Sequence, residues 1–416
     1  MRLHRAAWVL PISAPPILDG AVAVEGDRIA DVGPFADLRG RCPGHVTDHG
    51  DAVLLPGLVN AHTHLEWSFL RGSIGPRHDF VGWVREITAR KLATPLEEVA
   101  AAAGRAVEEV VATGTVAVGE VLNNATFYTE TSVERLSTRG IRGIGFLELL
   151  GFGGAEATEI LQAGWKALEM IREQGGGSRP HGNDRLGGPS LAFHLSPHAP
   201  YSVSPALFRL IRAQTERRTV HLAENEAEVR FLASGDGPWR DLLQELGRWD
   251  PSWSPPGVSP VRYLDALGFL DSRTLAVHVV HVDDADIAIL RRRRTPVCLC
   301  PRSNARLSVG RAPARRLFDA GLTVALGTDS LASNEDLDMF AEMRALRDQN
   351  PDLSPEEVVR AATLNGARAL GLERDLGSLA PGKSARFIGV KVKGVDDPYE
   401  GLLDENPMVF YPHDSH

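Results

Sequence analysis

Eight apolar runs of strand length recur through the middle of the sequence and constrain its fold more than any other feature. They lie between about residues 53 and 375 and read AVLLPGLVNAH, TVAVGEV, IRGIGFLELL, LAFHLSPH, TVHLAEN, TLAVHVVHV, PVCLCP and TVALGTDS. Segments with helical periodicity, such as LEEVAAAAGRAVEEVVATG, separate most of these runs. Because Val-, Ile- and Leu-rich strands that alternate with helices are typical of a parallel sheet covered on both faces, eight repeats predict an α/β fold, a (β/α)8 TIM barrel.

An open, doubly wound α/β sheet is the competing architecture. Such a sheet would favour a G-x-G-x-x-G turn after its first strand. No such motif follows the first run. The sequence therefore favours the closed barrel, whose active site is expected where the strands end.

The two ends of the chain and two internal segments have different patterns. Residues 6–34 read as short strands with a Gly-Asp turn between apolar runs, and residues 385–393 read in the same way. Residues 175–189 are rich in Gly and predict a flexible loop. The segment 235–262 carries three tryptophans among Gly and Pro, and the sequence leaves open whether it is a functional lid or a packing insert.

Charge and hydropathy narrow the choice of partner. The 416 residues carry a formal net charge of −9, which disfavours binding to nucleic acid or to an anionic membrane, because such proteins present basic surfaces. No apolar run approaches the roughly 20 residues that span a bilayer. We expect a small-molecule substrate, no nucleic acid and no membrane, and the sequence leaves homo-oligomer formation open.

The amino terminus and the cysteines predict a cytoplasmic protein. The start, MRLHRAAWVLPIS, lacks a small-residue cleavage site and continues into strand-like sequence, unlike a signal peptide. Cys42, Cys298 and Cys300 are an odd, sparse set, which fits a reducing compartment better than a disulfide framework. Cys298 and Cys300 do not form a C-x-x-C motif, and we expect them to pack beside a strand.

Two histidines end the first run. His62 and His64 are two residues apart. Residues at this spacing in a strand point to the same side, so both imidazoles can reach one ion. An isolated H-x-H pair occurs by chance, but this pair lies where a barrel places its active site.

Histidines also end the fifth and sixth runs. The fifth ends at His221, with Glu224 three residues later. An extended strand would turn these two side chains apart, so the chain must bend if Glu224 is to stand over an ion beside His221. A Glu that caps the next helix is the alternative. Of His278 and His281 in the sixth run, His278 lies deeper, and we expect it to face the barrel interior.

The eighth run ends at Asp329, whose alternative role is to cap the following helix. A carboxylate without a partner would be unusual at the end of a buried strand. Since one barrel mouth gathers all the strand ends, His62, His64, His221 and Asp329 predict a metal site. Three imidazoles and a carboxylate suit one divalent ion, with Zn²⁺ the best fit and Fe²⁺ also suitable.

Missing motifs exclude other chemistries. H-E-x-x-H, Walker A and G-x-S-x-G are absent. The segment from His64 to Glu66 matches the H-x-E of the small zinc nucleobase deaminases, but their P-C-x-x-C partner is missing.

Longer motifs resemble those of a known family. The chain is similar to the amidohydrolase superfamily, in the branch of guanine, S-adenosylhomocysteine, 6-aminodeoxyfutalosine and related deaminases and triazine hydrolases. The resemblance extends nearly end to end, through LLPGLVNAHTHLEWSFLRG, SPHAPYSVS, HLAEN, HVVHVDDADI, CPRSNARL, VALGTDSLASNEDLDMFAEMR and GSLAPGK. It implies a single ion at the four predicted ligands, since no carboxylated Lys ends the fourth run to bridge a second ion.

The resemblance also implies a domain organisation. We expect a small β-sandwich from both chain ends, with its parts in residues 1–57 and 376–416, and the metal-dependent hydrolase barrel in 58–375. Two positions depart from the family pattern: Cys300 stands where the branch often has Asn before Pro, and Arg386 stands in a stretch that often reads Ala-Asp-Leu. The first could alter the pocket wall, whereas the second is remote from the chemistry.

The reaction that the resemblance implies is hydrolytic deamination, with Glu224 and His278 as catalytic partners. Asp329 would accept the proton of water, His278 would hold the hydroxide, and Glu224 would protonate the ring nitrogen beside the attacked carbon. The expected substrate is an amino-purine compound, above all an adenosine-type nucleoside such as S-adenosylhomocysteine or 6-aminodeoxyfutalosine, a menaquinone precursor. Release of chloride or alkylamine from a triazine, and an inactive barrel that acts as a binding protein, are the alternatives.

Four residues are the expected substrate contacts: His198, Arg302, Ser303 and Trp83. The resemblance points to His198, and both His198 and Arg302 follow barrel runs and so fall on the catalytic face. Imidazole can donate to a sugar hydroxyl or a ring nitrogen. Guanidinium can bind a carboxylate through two parallel hydrogen bonds, which would suit a nucleoside with an acidic tail. A surface salt bridge is the alternative role for Arg302.

Overall fold

The computed structural model of the chain describes residues 1–75, 79–123, 132–173, 191–404 and 407–412. Its strands, in chain order, are β1 (Arg2–Val9), β2 (Ile17–Glu25), β3 (Arg28–Pro34), β4 (His45–Asp48), β5 (Ala52–Pro56), β6 (Leu58–Thr63), β7 (Thr115–Leu122), β8 (Arg142–Leu149), β9 (Leu191–Pro197), β10 (Arg218–Leu222), β11 (Thr274–His278), β12 (Val297–Leu299), β13 (Val324–Leu326), β14 (Phe387–Lys391) and β15 (Met408–Phe410).

Helices follow most of the central strands. They are α1 (Phe35–Arg41), α2 (Phe80–Ala93), α3 (Leu96–Ala112), α4 (Ser132–Thr138), α5 (Ala157–Glu173), α6 (Pro205–Gln214), α7 (Glu226–Ser234), α8 (Pro238–Glu245), α9 (Pro260–Ala266), α10 (Asp284–Arg293), α11 (Pro301–Arg306), α12 (Ala314–Asp319), α13 (Met339–Gln349), α14 (Pro355–Arg360), α15 (Gly366–Leu370) and α16 (Pro398–Gly401). Short 3-10 segments span Leu65–Leu70 and Gly154–Glu156, and a π-helical turn spans Ala361–Asn365.

The eight central strands form the predicted barrel. Strands β6 to β9 pair in parallel in chain order, and so do β10 to β13. A parallel bridge between Thr63 and Asp329 joins the last strand to the first, and the His221 amide donates to the carbonyl of His198 at 3.0 Å across the other seam. All eight strands therefore end at one mouth.

Helix α3 shows why the outer layer forms. Its buried residues include Val99, Ala103, Val107 and Val110, which recur at helical spacing on one face. This stripe packs towards the barrel and leaves Glu97 and Glu98 at the amino-terminal turn, where negative charge is favourable.

The two chain ends share one sheet of seven strands. Its order is β15-β14-β5-β1-β2-β3, with β4 paired to β1. The strands predicted within 6–34 and 385–393 are confirmed as β1 to β3 and β14.

The first apolar run is two strands rather than one. Residues Ala52–Pro56 pair with β14 in the terminal sheet, whereas Leu58–Thr63 belong to the barrel. Gly57 separates them, and a Cβ there would lie 2.2 Å from Val116 Cγ1, so only glycine allows the two layers to approach this closely.

The tryptophan-rich segment 235–262 packs against the barrel. Phe231 stacks on Trp253 with ring centroids 4.8 Å apart, and Trp239 stacks on Tyr201 at 3.7 Å. This arrangement gives the segment a packing role beside the barrel mouth. The loop predicted at 175–189 lies outside the described residues. Within the ranges described above, none of the helices has both the length and the apolar character needed to cross a bilayer.

Candidate active site and metal centre

Four side chains converge at the mouth of the barrel. His62 and His64 lie at the end of β6, His221 lies in β10, and Asp329 follows β13. The bridge between Thr63 and Asp329 brings the carboxylate next to the two histidines of β6. All four are buried, between 1% and 7% exposed.

Four of the distances between their donor atoms are compatible with one ion. His64 Nε2 lies 3.1 Å from His62 Nε2 and 3.3 Å from His221 Nε2. Asp329 Oδ1 lies 3.7 Å from His62 Nε2 and 3.6 Å from His64 Nε2. Ligands that each stand about 2.0–2.2 Å from a zinc ion lie roughly 3–3.6 Å from one another in a tetrahedral arrangement.

The pKa shifts of these side chains favour the protonation states that a bound cation needs. Burial lowers the pKa of His64 well below its usual range and that of His221 to about 3, so both imidazoles are neutral at pH 7. Burial opposes ionisation of Asp329, but His62 and the neighbouring His278 and His64 outweigh it and hold the pKa of that carboxyl well below its usual range. Neutral imidazoles around an ionised carboxylate are the donor set that a divalent metal requires.

Neighbouring groups orient the ligands. The Nδ1 of His221 lies 3.0 Å from the carbonyl oxygen of His198, which can only accept, so Nδ1 carries the proton and Nε2 keeps its lone pair. Ser303 Oγ donates to Asp329 Oδ2 at 2.6 Å, and Ser333 Oγ donates to the same atom at 2.8 Å. These bonds leave Asp329 Oδ1 for the ion.

A turn after β10 places Glu224. Ala223 has a φ of 52°, in the left-handed region, so the chain leaves the strand before Glu224, as expected from the sequence. Glu228 accepts from the amides of both Ala223 and Glu224 at 2.9 Å and braces this turn. Glu224 Oε1 lies 3.4 Å from His278 Nε2.

The catalytic candidates have perturbed pKa values. Burial, followed by the charges of Asp329 and Glu228, raises the pKa of Glu224 well above its usual range. Burial lowers the pKa of His278 to about 4, and its Nδ1 lies 2.9 Å from Asn304 Oδ1. His281 instead lies with its Nε2 2.7 Å from the carbonyl of Val309, whereas His278 is among the residues that line the cavity described next.

A cavity of about 310 Å³ opens onto these groups. The described residues that line it are His64, Trp67, Phe80, Trp83, Val84, Ile87, Thr88, Lys91, Leu92, Asn123, Glu148, Leu150, His198, Tyr201, His221, Glu224, His278, Asp329 and Ser330. Its volume is at the lower end of the roughly 300–1,000 Å³ of small-molecule sites.

The structure places two predicted substrate contacts in this cavity. Trp83 lines it and donates its indole N–H to the carbonyl of Ala332 at 3.4 Å. His198 also lines it, with Nδ1 2.6 Å from Ser202 Oγ, and burial lowers its pKa to about 4. His198 therefore presents a neutral imidazole at pH 7.

The structure does not place Arg302 and Ser303, the other two predicted substrate contacts, among the residues that line the cavity. Arg302 Nη2 donates to Asp336 at 2.9 Å, a second bond joins the same pair, and Arg302 is not among the cavity-lining residues. This pairing matches the alternative role considered for Arg302, a salt bridge. Ser303 Oγ donates its hydrogen bond to Asp329 Oδ2, one of the predicted metal ligands.

Sequence reasoning missed several groups around the cavity. Glu228, four residues after Glu224 in HLAENEAEV, could have been found by asking what stabilises the turn that the motif requires. Lys91, Asn123 and Tyr201 gave no comparable signal, because they come from a helix, a strand end and a loop that are distant in sequence.

The chain belongs to the amidohydrolase family. Residues 53–411 match the Amidohydrolase family, which covers the barrel and the carboxy-terminal strands, and residues 20–41 match an imidazolonepropionase-like composite domain of bacteria.

Named relatives match over most of their length. A 5-methylthioadenosine/S-adenosylhomocysteine deaminase of Moorella thermoacetica is 32% identical over 94% of this chain and 86% of its own. An aminodeoxyfutalosine deaminase of Deinococcus radiodurans is 33% identical over 85% of this chain and 81% of its own. Among solved structures, an adenosine deaminase from Xanthomonas campestris with bound zinc matches with a TM-score of 0.75 and 29% identity over 97% of this chain and 88% of that one.

Proposed function

We propose that this protein is a metal-dependent hydrolase that deaminates an amino-purine compound, an adenosine-type nucleoside, and releases ammonia. The observation that carries this proposal is that Glu224, a buried carboxyl with a raised pKa, lines the same cavity as His64, His221 and Asp329, three of the four proposed metal donors. The deaminase names of the relatives support the same reaction and substrate class.

The metal that these donors fit is a divalent ion, and zinc suits the set best, as in the zinc-bound relative. Held by His62, His64, His221 and Asp329, such an ion would supply the nucleophile by lowering the pKa of water from 15.7 towards roughly 7. Iron(II) suits the same ligands.

Glu224 is suited to donate a proton to the substrate. Because burial raises its pKa, the carboxyl favours the protonated form more than an exposed glutamate does and is suited to pass a proton to the ring nitrogen beside the amino-bearing carbon. Protonation of that nitrogen makes the carbon electrophilic and lets water add. The neutral imidazole of His278, 3.4 Å from Glu224, is placed to hold the attacking oxygen by a hydrogen bond.

Asp329 is suited to the opposite proton transfer. Its carboxyl stays ionised, since its pKa is held well below the usual range, and it can accept the proton of the attacking water. Transfer of that proton to the amine allows ammonia to leave, and the hydroxyl proton of the adduct returns to Glu224 as the C=O bond forms. One water is consumed, and an exocyclic amine is replaced by oxygen.

The walls of the cavity suit a flat heterocycle. Trp67, Phe80 and Trp83 supply aromatic surface, while the neutral imidazole of His198 can donate to a ring nitrogen or a sugar hydroxyl. Aromatic walls with a few convergent polar groups are the usual construction of a small-molecule site.

We further propose that the seven-stranded terminal sheet is a small β-sandwich domain, with residues 1–57 and 376–416 on either side of a barrel formed by 58–375. Pairing between β5 and β14 supports this division. A cytoplasmic location is proposed on the three cysteines, all of which are free thiols.

A deamination screen tests the function. Zinc-loaded protein is mixed with adenine, adenosine, S-adenosylhomocysteine, 6-aminodeoxyfutalosine, guanine and cytosine, and the ultraviolet shift is compared with ammonia release. We expect an equimolar amount of ammonia from an adenosine-type nucleoside. Chloride or alkylamine release from a triazine alone would favour the second candidate function, and no release from either set would contradict both.

A further inference from the structure

Lys91 is the sole lysine or arginine among the described residues that line the active-site cavity. It lies in the last turn of α2, and its side chain is 26% exposed. Every other charged group on this lining belongs to the catalytic mouth or is Glu148. A single cation in a small cavity constrains which ligands can bind there.

The contacts of Lys91 leave its hydrogen bonds unused. Its ammonium lies over the ring of Trp67 at 4.5 Å, and Nζ is 3.7 Å from Glu66 Oε2. Direct charge-assisted hydrogen bonds are shorter, about 2.7–2.9 Å. Glu66 Oε2 instead accepts from the amide of Asn123 at 3.1 Å. Within the described part of the chain, the ammonium therefore has charge partners but no hydrogen-bond acceptor.

Among the described residues, Glu148 is not a hydrogen-bond acceptor for Lys91 either. It accepts a hydrogen bond from the side-chain amide of Asn123, and its other oxygen lies 3.5 Å from His221 Nδ1. Both of its oxygens thus face neighbours other than Lys91.

Several apolar side chains share the cavity lining with Lys91. Leu92 and Leu150 line the cavity and are 84% and 53% exposed, which is high for leucine. Val84 and Ile87 of α2 lie on the same lining. A ligand group that extends here would contact hydrocarbon along its length and a cation at its end.

We propose that Lys91 recognises a carboxylate at the end of an apolar tail on the substrate, opposite the end at which the amine reacts. This inference rests on the proposed nucleoside deamination. It assigns to Lys91 the role that Arg302 cannot fill, since the Arg302 guanidinium is paired with Asp336. The expected substrate class is an amino-purine nucleoside with a carboxylate-bearing tail.

The test compares three thioether nucleosides on the zinc-loaded full chain: carboxypropylthioadenosine, its carboxamide and methylthioadenosine. Lys91→Met removes the charge, Lys91→Arg retains it, and Lys166→Met is the control, because Lys166 is exposed on α5. We expect Lys91→Met to lower kcat/KM for the carboxylate on the order of 10- to 100-fold, chiefly through KM, and to change the other two substrates by no more than about twofold. Lys91→Arg should retain most of the preference.

Two results for Lys91→Met would overturn the proposal. One is an equal loss of kcat/KM on all three substrates, and the other is an unchanged preference for the carboxylate over the carboxamide. Binding of the same ligands is measured as a thermal shift. This measurement separates carboxylate recognition by Lys91 from the proposed deamination, because binding does not require turnover. If the wild type deaminates none of them but binds the carboxylate more tightly through Lys91, the deamination proposal fails and the role of Lys91 stands. If the wild type binds carboxylate and carboxamide equally, the role of Lys91 fails.

Discussion

Glu224, the proposed acid, lies at the same mouth as the four proposed metal donors, but its pKa is shifted upwards whereas those of His64, His221 and Asp329 are shifted downwards. A metal ligand must offer a lone pair, and the low pKa values of His64, His221 and Asp329 provide this at neutral pH. Burial instead raises the pKa of Glu224, which suits its proposed role as a proton donor. Environment, more than residue type, divides the two carboxyl groups between acid and ligand.

Replacing Glu224 with Gln should separate these roles. The amide keeps the size of the side chain but cannot transfer a proton, so kcat should fall by roughly 100-fold or more while the metal content stays unchanged. Ammonia release and metal analysis of the same sample measure the two quantities. Glu226→Gln is the matched control, since Glu226 is exposed one residue into the same helical segment. Metal loss in step with activity would make Glu224 a ligand.

Single residues of the site were predictable to different degrees. His62, His64, His221 and Asp329 could be found from the sequence, because a barrel sends the ends of all its strands to one mouth. Arg302 and Ser303 lie on the same face, but α11 turns them towards Asp336 and Asp329. Such pairings depend on partners distant in sequence, so strand order alone cannot give them.

The connection from β10 to α7 positions Glu224, the proposed proton donor. Asn225 caps α7 by accepting from the Glu228 amide at 2.9 Å, and the carboxylate of Glu228 returns to the amides of Ala223 and Glu224. This closed set of bonds stabilises the left-handed turn at Ala223. Glu228 is therefore a positioning residue rather than a catalytic one.

Removing the Glu228 side chain should release this turn. Glu228→Ala leaves two buried amides without their acceptor, at about 1–3 kcal/mol each in unfolding free energy, and should lower kcat more than it raises KM. Urea denaturation and steady-state kinetics are the measurements. Glu228→Gln, which keeps one acceptor oxygen, should recover part of the rate. Unchanged stability and kcat in Glu228→Ala would show that the turn does not need this brace.

The order of elements could be predicted better than their limits. All eight barrel runs were identifiable from apolar periodicity. The pattern did not show that the first run contains two strands, one in the terminal sheet and one in the barrel, separated at Gly57. Strands β4 and β15 escaped prediction, since each has only three or four residues and pairs at the edge of the terminal sheet. Their pairing comes from tertiary contacts that a local pattern does not contain.

The molecule as a whole holds several histidines in their neutral form. Burial lowers the pKa of His198 and His278 to about 4 and that of His221 to about 3, whereas an unfolded histidine titrates near 6.5. A depressed folded pKa stabilises the protein above the unfolded pKa, and this contribution is lost as the pH falls towards the folded value.

The metal-stripped protein should therefore lose stability between about pH 6.5 and pH 4. The unfolding free energy from urea denaturation at pH 7.5 and pH 4.5 measures the loss. In His198→Asn one titrating group is gone, so the difference between the two pH values should shrink by about 2 kcal/mol. An identical pH dependence in wild type and variant would show that His198 is not held neutral by the fold.

Reconstitution with metal decides whether the converging donors are the centre of the chemistry. Chelator-treated protein is titrated with zinc while deamination of an adenosine-type nucleoside is followed, with His62→Ala in parallel. We predict that the rate rises in proportion to zinc up to about one ion per chain, and that His62→Ala neither retains the ion nor recovers the rate. Full activity in the metal-free wild type, or an unchanged ion content in His62→Ala, would contradict this account.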